Sequence, residues 1–125
     1  MFSNWAPDIY VAEDYAYLPF DNSLQIIDVT DKENPTIAGG AFAPGDIGYV
    51  FVEGDYAYIT YVVRDDDWQV KESGMQIIDV KDKNTPVVIA EVKIPGEAKG
   101  IYIMGDYAYV GAGLEGLQIL ELYAD

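Results

Sequence analysis

The stretch DYAY stands at residues 14–17, again at 55–58 and again at 106–109 of this 125-residue chain. Each copy is followed by a second shared string, which reads LQIIDV, MQIIDV or LQILEL. A pattern written three times predicts a repeat architecture, in which each unit buries its apolar faces against its neighbours. The repeat therefore decides the fold before any single residue is interpreted.

The repeated unit is about 41 residues long. Asp14 and Asp55 are 41 positions apart, whereas Asp55 and Asp106 are 51 apart. From residue 24 to residue 61, each position maps onto the position 51 later. The ten extra residues, 51 minus 41, therefore fall within 62–73, which we interpret as a loop insertion.

Each unit carries signals for short β-strands, and we find no helical periodicity of useful length. The first strand is IYVA, VFVE or IYIM, and the second is YAYLPF, YAYITY or YAYVGA, with the period of two expected of a strand. The QI string predicts a third strand, and a fourth follows the turn DKENP or DKNTP. The third unit stops after its third strand, and the opening MFSN is too short to replace the missing one, so about eleven strands are predicted.

Four short antiparallel strands per unit are typical of a β-propeller blade. The sequence predicts one all-β domain, 1–125, with blade 1 at about 5–45, blade 2 at about 46–96 and an incomplete blade 3 at about 97–125. Within each blade, tyrosines alternate with alanine or aliphatic residues. We expect the tyrosine rings on one face of a blade to nest on the small side chains of the next blade.

The motifs that support this fold also resemble a known family. The combination of GDYAYV, GLQI, IDV-x-D followed by proline, and a Pro-Gly turn is similar to the LVIVD repeat of bacterial and archaeal β-propellers. It stands at residues 105–110, 116–119, 27–35, 78–86, 44–45 and 95–96. The resemblance implies a ring-shaped interaction platform, often on exported or surface proteins. Two features depart from it: there are three units rather than a full ring, and Glu13 replaces the glycine before Asp14.

The composition excludes several classes of function. A net charge of −15 repels phosphate backbones and anionic lipids, so nucleic-acid partners are not expected. The apolar runs are too short for a membrane-spanning helix, and the N-terminus shows no signal peptide. Without cysteine or histidine, the chain has no thiol nucleophile, imidazole triad or zinc site of the usual ligands. We therefore predict no cofactor and no metal.

Three blades are too few to close a propeller, which typically has four to eight. An open arc would leave the outer faces of units one and three bare, and apolar patches of that size are normally covered. The sequence therefore predicts self-association, with a dimer forming a six-bladed ring favoured over a trimer or a filament. The candidate contact residues are Ile9, Tyr15, Tyr17, Tyr107, Tyr109, Leu117 and Ile119.

The insertion is the candidate binding loop. Its candidate residues are Arg64, Asp65, Asp66, Asp67, Trp68 and Glu72. An exposed tryptophan beside acidic groups could bind a sugar, a basic peptide or calcium, although consecutive aspartates lack the spaced register of a calcium loop. The interpretation that we favour is a hairpin that extends two strands, with Trp68 packed on Val62 or Val70 and the three aspartates solvated.

Aspartates also recur in the turns after the third strand, as Asp28 and Asp31 and again as Asp79 and Asp82. Because they recur at the same place in each unit, we expect them to accept backbone hydrogen bonds rather than to perform acid-base chemistry. The predicted function is a non-enzymatic, self-assembling structural or interaction scaffold. The alternative is a ligand-binding or carboxylate-dependent carbohydrate-active propeller, whose site forms at the channel of the assembled ring.

Overall fold

Blade 1 is a four-stranded antiparallel sheet in a computed structural model that describes residues 7–122. Its strands follow each other in space in the order of the chain, as an up-and-down meander. They are β1 (Tyr10–Ala12), β2 (Tyr15–Phe20), β3 (Ser23–Asp28) and β4 (Thr36–Phe42).

Blades 2 and 3 repeat this arrangement. Blade 2 contains β5 (Asp46–Glu53), β6 (Tyr56–Arg64), β7 (Val70–Asp79) and β8 (Val87–Lys93). Blade 3 contains β9 (Ile101–Met104), β10 (Tyr107–Gly111) and β11 (Leu117–Glu121), with a short 3₁₀ helix, Gly113–Glu115, before β11. The all-β fold, the three blades and the eleven strands over residues 7–122 confirm the predicted architecture.

The turn between the first two strands explains the one departure from the repeat pattern. Gly54 and Gly105 adopt the left-handed conformation there, with φ of 60° and 61°. Glu13 takes the same place in blade 1 and adopts φ 55°. Glycine tolerates this conformation without the steric cost of a Cβ atom, so blade 1 makes the same turn at some strain.

Blades 1 and 2 join through a tyrosine-bearing face and an alanine-bearing face. Tyr17 and Ile26 of blade 1 lie in one apolar cluster with Ala57 and Ile59 of blade 2. All four side chains are at most 2% exposed. The nesting of large on small side chains is therefore confirmed at this joint.

Blades 2 and 3 repeat the joint with equivalent residues. Tyr58 and Met75 of blade 2 form a second cluster with Ala108 and Val110 of blade 3, and these are likewise buried. Because each blade carries a tyrosine face and an alanine face, the blades stack in one direction along the chain.

Hydrogen bonds fix the connection that leads into blade 3. The buried Thr60 hydroxyl donates to the Lys99 carbonyl at 2.7 Å, and the Ser73 hydroxyl accepts the Ala98 N–H at 2.6 Å. This connection therefore lies firmly against blade 2. Within residues 7–122, no helix has the length and apolar character needed to cross a membrane.

Candidate functional site

The tyrosine-bearing face of blade 3 is bare. We call it the blade 3 end face. Cross-strand pairing places Tyr102, Tyr109 and Ile119 in one row across β9, β10 and β11, with Met104 and Tyr107 paired beside them. Tyr102 is 57% exposed and Ile119 55%. Tyr107 and Leu117 are exposed as well, so the structure brings four predicted contact residues, Tyr107, Tyr109, Leu117 and Ile119, onto one surface.

The alanine-bearing face of blade 1 is bare as well, and we call it the blade 1 end face. Val11, Ala16, Ile27 and Ile37 form a row across its four strands. Val11 is 59% exposed and Ile37 69%, whereas Ala16 between them is only 6% exposed. Ile9, one residue before β1, is also exposed.

Tyr15 and Tyr17 do not lie on the blade 1 end face, which corrects their proposed place in the contact between copies. Both pack in the cluster between blades 1 and 2, where Tyr17 is 2% exposed. Burial raises the pKa of the Tyr17 hydroxyl above its ordinary value, with smaller contributions from Glu13 and Tyr15. The bare face of blade 1 is the alanine side of the same strands.

The 62–73 segment is a hairpin that lengthens β6 and β7 beyond their counterparts in the other blades. Its tip is organised by Asp65, whose Oδ1 accepts the N–H groups of Asp67 and Gln69, each at 2.9 Å. Asp66 and Asp67 are exposed. Asp65 therefore holds the turn closed, as short polar side chains commonly do in turns.

Arg64 ties the hairpin tip to the connection between blades 2 and 3. Its guanidinium donates to the Trp68 carbonyl at 3.2 Å and forms an ion pair with Glu97 at 2.9 Å. The guanidinium carbon also lies 5.7 Å from the centroid of the Trp68 ring. Arg64 thus lies within cation–π distance of the Trp68 ring, and Trp68 is 71% exposed, with a left-handed backbone at φ 66°.

A cleft of about 370 Å³ opens beside this hairpin. Ile47, Val62 and Ala98 supply apolar lining. The polar and aromatic lining consists of Asp21, Asp46, Tyr49, Arg64, Trp68, Glu97 and Lys99. These residues come from the β2–β3 turn, the start of β5, the hairpin and the entry to β9, which meet at one edge of the blades.

Sequence reasoning found Arg64 and Trp68 but missed the other polar residues of the cleft. These residues lie in two kinds of loop: those that join one blade to the next, and those that join the second strand of a blade to its third. Both kinds of loop lie at the same edge of a propeller, and this shared position was the signal that could have identified the residues. Glu72, predicted with the loop, lies elsewhere and pairs with Lys93. The hydrogen bond to Glu72 is the main reason why the pKa of the Lys93 ammonium is raised. Desolvation opposes this rise in pKa by a smaller amount, and the contacts with Tyr61 and Glu91 add to it.

The repeated aspartates hold turns, as predicted. Asp28 and Asp79 accept the N–H of the residue two positions on, at 2.9 Å in both cases. Asp31 and Asp82 do the same at 3.0 Å. Across the part of the chain that the structure describes, no group of three or more acidic side chains is arranged to hold a metal ion.

Comparisons with known proteins agree with this architecture. The LVIVD repeat matches the chain at residues 5–40 and 95–121. No curated protein matches the sequence. Among solved structures, the chain is similar to the computationally designed Ika8 protein, with a TM-score of 0.69 and 5% identity over 91% of this chain and 32% of that one.

Two further solved structures are similar to the chain. KlHsv2 with loop 6CD replaced by a Gly-Ser linker has a TM-score of 0.60 and 18% identity, over 97% of this chain and 36% of that one. The computationally designed Ika4 protein has a TM-score of 0.50 and 7% identity, over 98% and 94%. The chain spans about a third of the length of Ika8 and KlHsv2, and at these identities the likeness concerns the fold alone.

Proposed function

The chain belongs to the LVIVD-repeat family, and from that premise we propose that it is a non-enzymatic interaction scaffold whose copies associate head to tail. The propeller-like repeat fold supports a structural or interaction scaffold in general terms. The finer proposal is that the blade 3 end face of one copy packs on the blade 1 end face of another.

One observation carries this proposal: the residue that begins a cross-strand row is buried in blade 2 and exposed in blade 1, although Ala16, the second residue of the blade 1 row, is itself buried. In blade 2 the row begins with Val52, Ala57 and Ile78, which are 5%, 0% and 1% exposed against blade 1. The equivalent row in blade 1 begins with Val11, which is 59% exposed. The blade 1 end face thus has the shape and composition of a surface that is covered elsewhere in the same molecule.

The blade 3 end face is the complementary half of that joint. Ile26 of blade 1 is fully buried against blade 2, whereas Ile119, at the equivalent position of blade 3, is 55% exposed. A second copy that places its blade 1 on this face would repeat a joint made twice within the chain. Burying an apolar side chain fully contributes ~1.5–3 kcal/mol, so several such residues can offset the cost of association.

The contact would be heterologous, because the two surfaces differ. Repeated heterologous contacts either close into a ring or continue as a filament. Two copies would bring six blades together, within the usual range of propellers, so we favour a closed dimer. The net charge of −15 opposes association through repulsion, which salt screens, so the dimer should be tighter at physiological than at low ionic strength.

Light scattering after size exclusion, across a range of concentrations at physiological salt, tests the proposal. A mass of two chains with a ring in negative-stain images is the expected result. Three chains, or a broad heavy distribution, would retain head-to-tail association but replace the closed dimer by a trimer or filament. A monomer at all concentrations would overturn the proposal.

A matched pair of variants locates the contact. Ile119→Lys, on the blade 3 end face, is expected to give a folded monomer, because a charge would be buried without a partner. Leu114→Lys changes an apolar residue in the 3₁₀ helix, outside both end faces, that is fully exposed already in the single chain. It should leave the mass unchanged, and loss of association in both variants alike would contradict the assignment of the surface.

A further inference from the structure

We propose that the cleft beside the 62–73 hairpin is a binding site for a neutral saccharide of one or two rings. The cleft lies within one chain, so this proposal does not depend on self-association. Its volume of about 370 Å³ falls within the ~300–1,000 Å³ of small-molecule sites. Its lining combines apolar and aromatic side chains with charged ones, which suits a ligand that has both an apolar face and polar groups.

The aromatic part of the site is Trp68. The Arg64 guanidinium lies within cation–π distance of its ring and also contacts the Trp68 carbonyl and Glu97. Despite these contacts the side chain remains 71% exposed. An aromatic ring that is open to solvent at the rim of a cleft offers a platform to the apolar C–H face of a sugar ring, since the negative face of an aromatic ring attracts polarised C–H groups.

The polar part of the site supplies both donors and acceptors. Asp46, Glu97 and Lys99 line the cleft and carry carboxylate and ammonium groups, with Glu97 paired to Arg64. Sugar hydroxyls both donate and accept hydrogen bonds, so they can use the two kinds of partner together. Hydrogen bonds to charged groups are stronger than those between neutral groups, so few are needed to orient the ligand.

An anionic ligand or a cationic ligand fits this lining less well than a neutral one. An anion would meet Asp21, Asp46 and Glu97 in a chain of net charge −15. A cation would meet Lys99, and the carboxylate of Glu97 is already neutralised by its ion pair with Arg64. A neutral ligand with an apolar face and a polar rim makes use of every kind of group in the cleft.

Fluorescence titration tests the site. The chain contains two tryptophans, so a Trp5→Phe background leaves Trp68 as the single reporter. We expect a saturable change with at least one of maltose, cellobiose and lactose, and none with spermidine or inorganic phosphate. Saturation-transfer NMR on the parent chain gives a second measurement that does not need the background substitution.

Three variants identify the residues responsible. Trp68→Ala and Asp46→Ala are each expected to weaken binding at least about tenfold, whereas Asp66→Ala, on the same hairpin but outside the cleft lining, should bind as the parent does. No response to any of the three disaccharides would overturn the proposal. So would undiminished affinity in Trp68→Ala, or saturable binding of spermidine or phosphate in place of sugar.

Discussion

The ring of Tyr102 lies 4.8 Å from the ring of Phe51, measured between centroids, with the planes tilted by 57°. Phe51 makes the same kind of contact with Tyr10, at 5.2 Å. The three residues occupy equivalent positions on the first strands of the three blades, so an aromatic row runs through the molecule. Tyr102 ends the row and is 57% exposed. In the proposed dimer, the Tyr10 of a second copy would continue it.

Removing the ring that ends this row should weaken association and leave the fold intact. Tyr102→Ser is expected to raise the dissociation constant of the dimer about tenfold, because an aromatic pair contributes ~0.5–1.5 kcal/mol beyond the area that it buries. Sedimentation equilibrium measures this change. Phe51→Ser, in the middle of the row, should instead lower the free energy of unfolding by ~2–4 kcal/mol. If the two substitutions lowered the free energy of unfolding equally, Tyr102 could not be assigned to association and Phe51 to the fold.

Mixing two defective chains tests whether the contact is head to tail. Val11→Lys disables the blade 1 end face and Ile119→Lys the blade 3 end face, so each variant alone should be a monomer. Together they retain one intact joint, formed by blade 3 of the first variant and blade 1 of the second. Light scattering of the mixture should therefore show a species of two chains. A mixture that stays monomeric, or a Val11→Lys variant that still dimerises alone, would rule out a heterologous contact.

Tyr17 and Tyr109 occupy the same repeat position on a buried and an open face. Tyr17→Ala should lower the free energy of unfolding by ~3–5 kcal/mol, since it leaves a cavity between blades 1 and 2. Tyr109→Ala should cost about 1 kcal/mol or less in a single chain and act mainly on association. Urea unfolding at low protein concentration measures both values. Similar losses in the two variants would show that the faces are not buried as described.

The blades could be predicted from the sequence because the repeat constrains every unit at once. Spacing between the DYAY copies located the insertion, and the period of two assigned tyrosines and alanines to opposite faces. The aspartates of the turns were predictable for the same reason, since recurrence at one position indicates a structural role.

The direction in which the blades stack could not be predicted from the sequence. The period of two along β2 predicts that Tyr17 and Ala16 lie on opposite faces of the strand. It does not predict which of the two faces packs against blade 2. Tyr17 was therefore assigned to the wrong side. The cleft was missed for a different reason: Asp46, Glu97 and Lys99 come from separate connections that share no motif, and only the fold brings them together.

The pKa of Asp28 gives a prediction on pH dependence. Hydrogen bonds from Thr30 to the Asp28 carboxylate lower its pKa below the ordinary value. A lowered pKa in the folded state stabilises the fold above pH ~4, and this stability is lost as pH falls through the folded pKa. Asp28→Asn keeps the acceptor but removes the charge, so it should destabilise the protein at neutral pH and become equivalent to the parent in acid. Urea unfolding across pH checks this, and a difference that does not vary with pH would contradict it.

Two strand glycines test how closely the blades approach each other. A Cβ atom on Gly39 of β4 would lie 2.3 Å from the backbone carbonyl oxygen of Lys83 in blade 2, whereas one on Gly48 of β5 would meet nothing within 4 Å. Gly39→Ala should therefore lower the free energy of unfolding by ~1–3 kcal/mol, because backbone must move to relieve the overlap. Gly48→Ala should be neutral or stabilising by up to ~1 kcal/mol, since it restricts the unfolded chain. Thermal unfolding of both variants checks the contrast, and a Gly39→Ala protein as stable as the parent would mean that blade 1 does not press on this turn of blade 2.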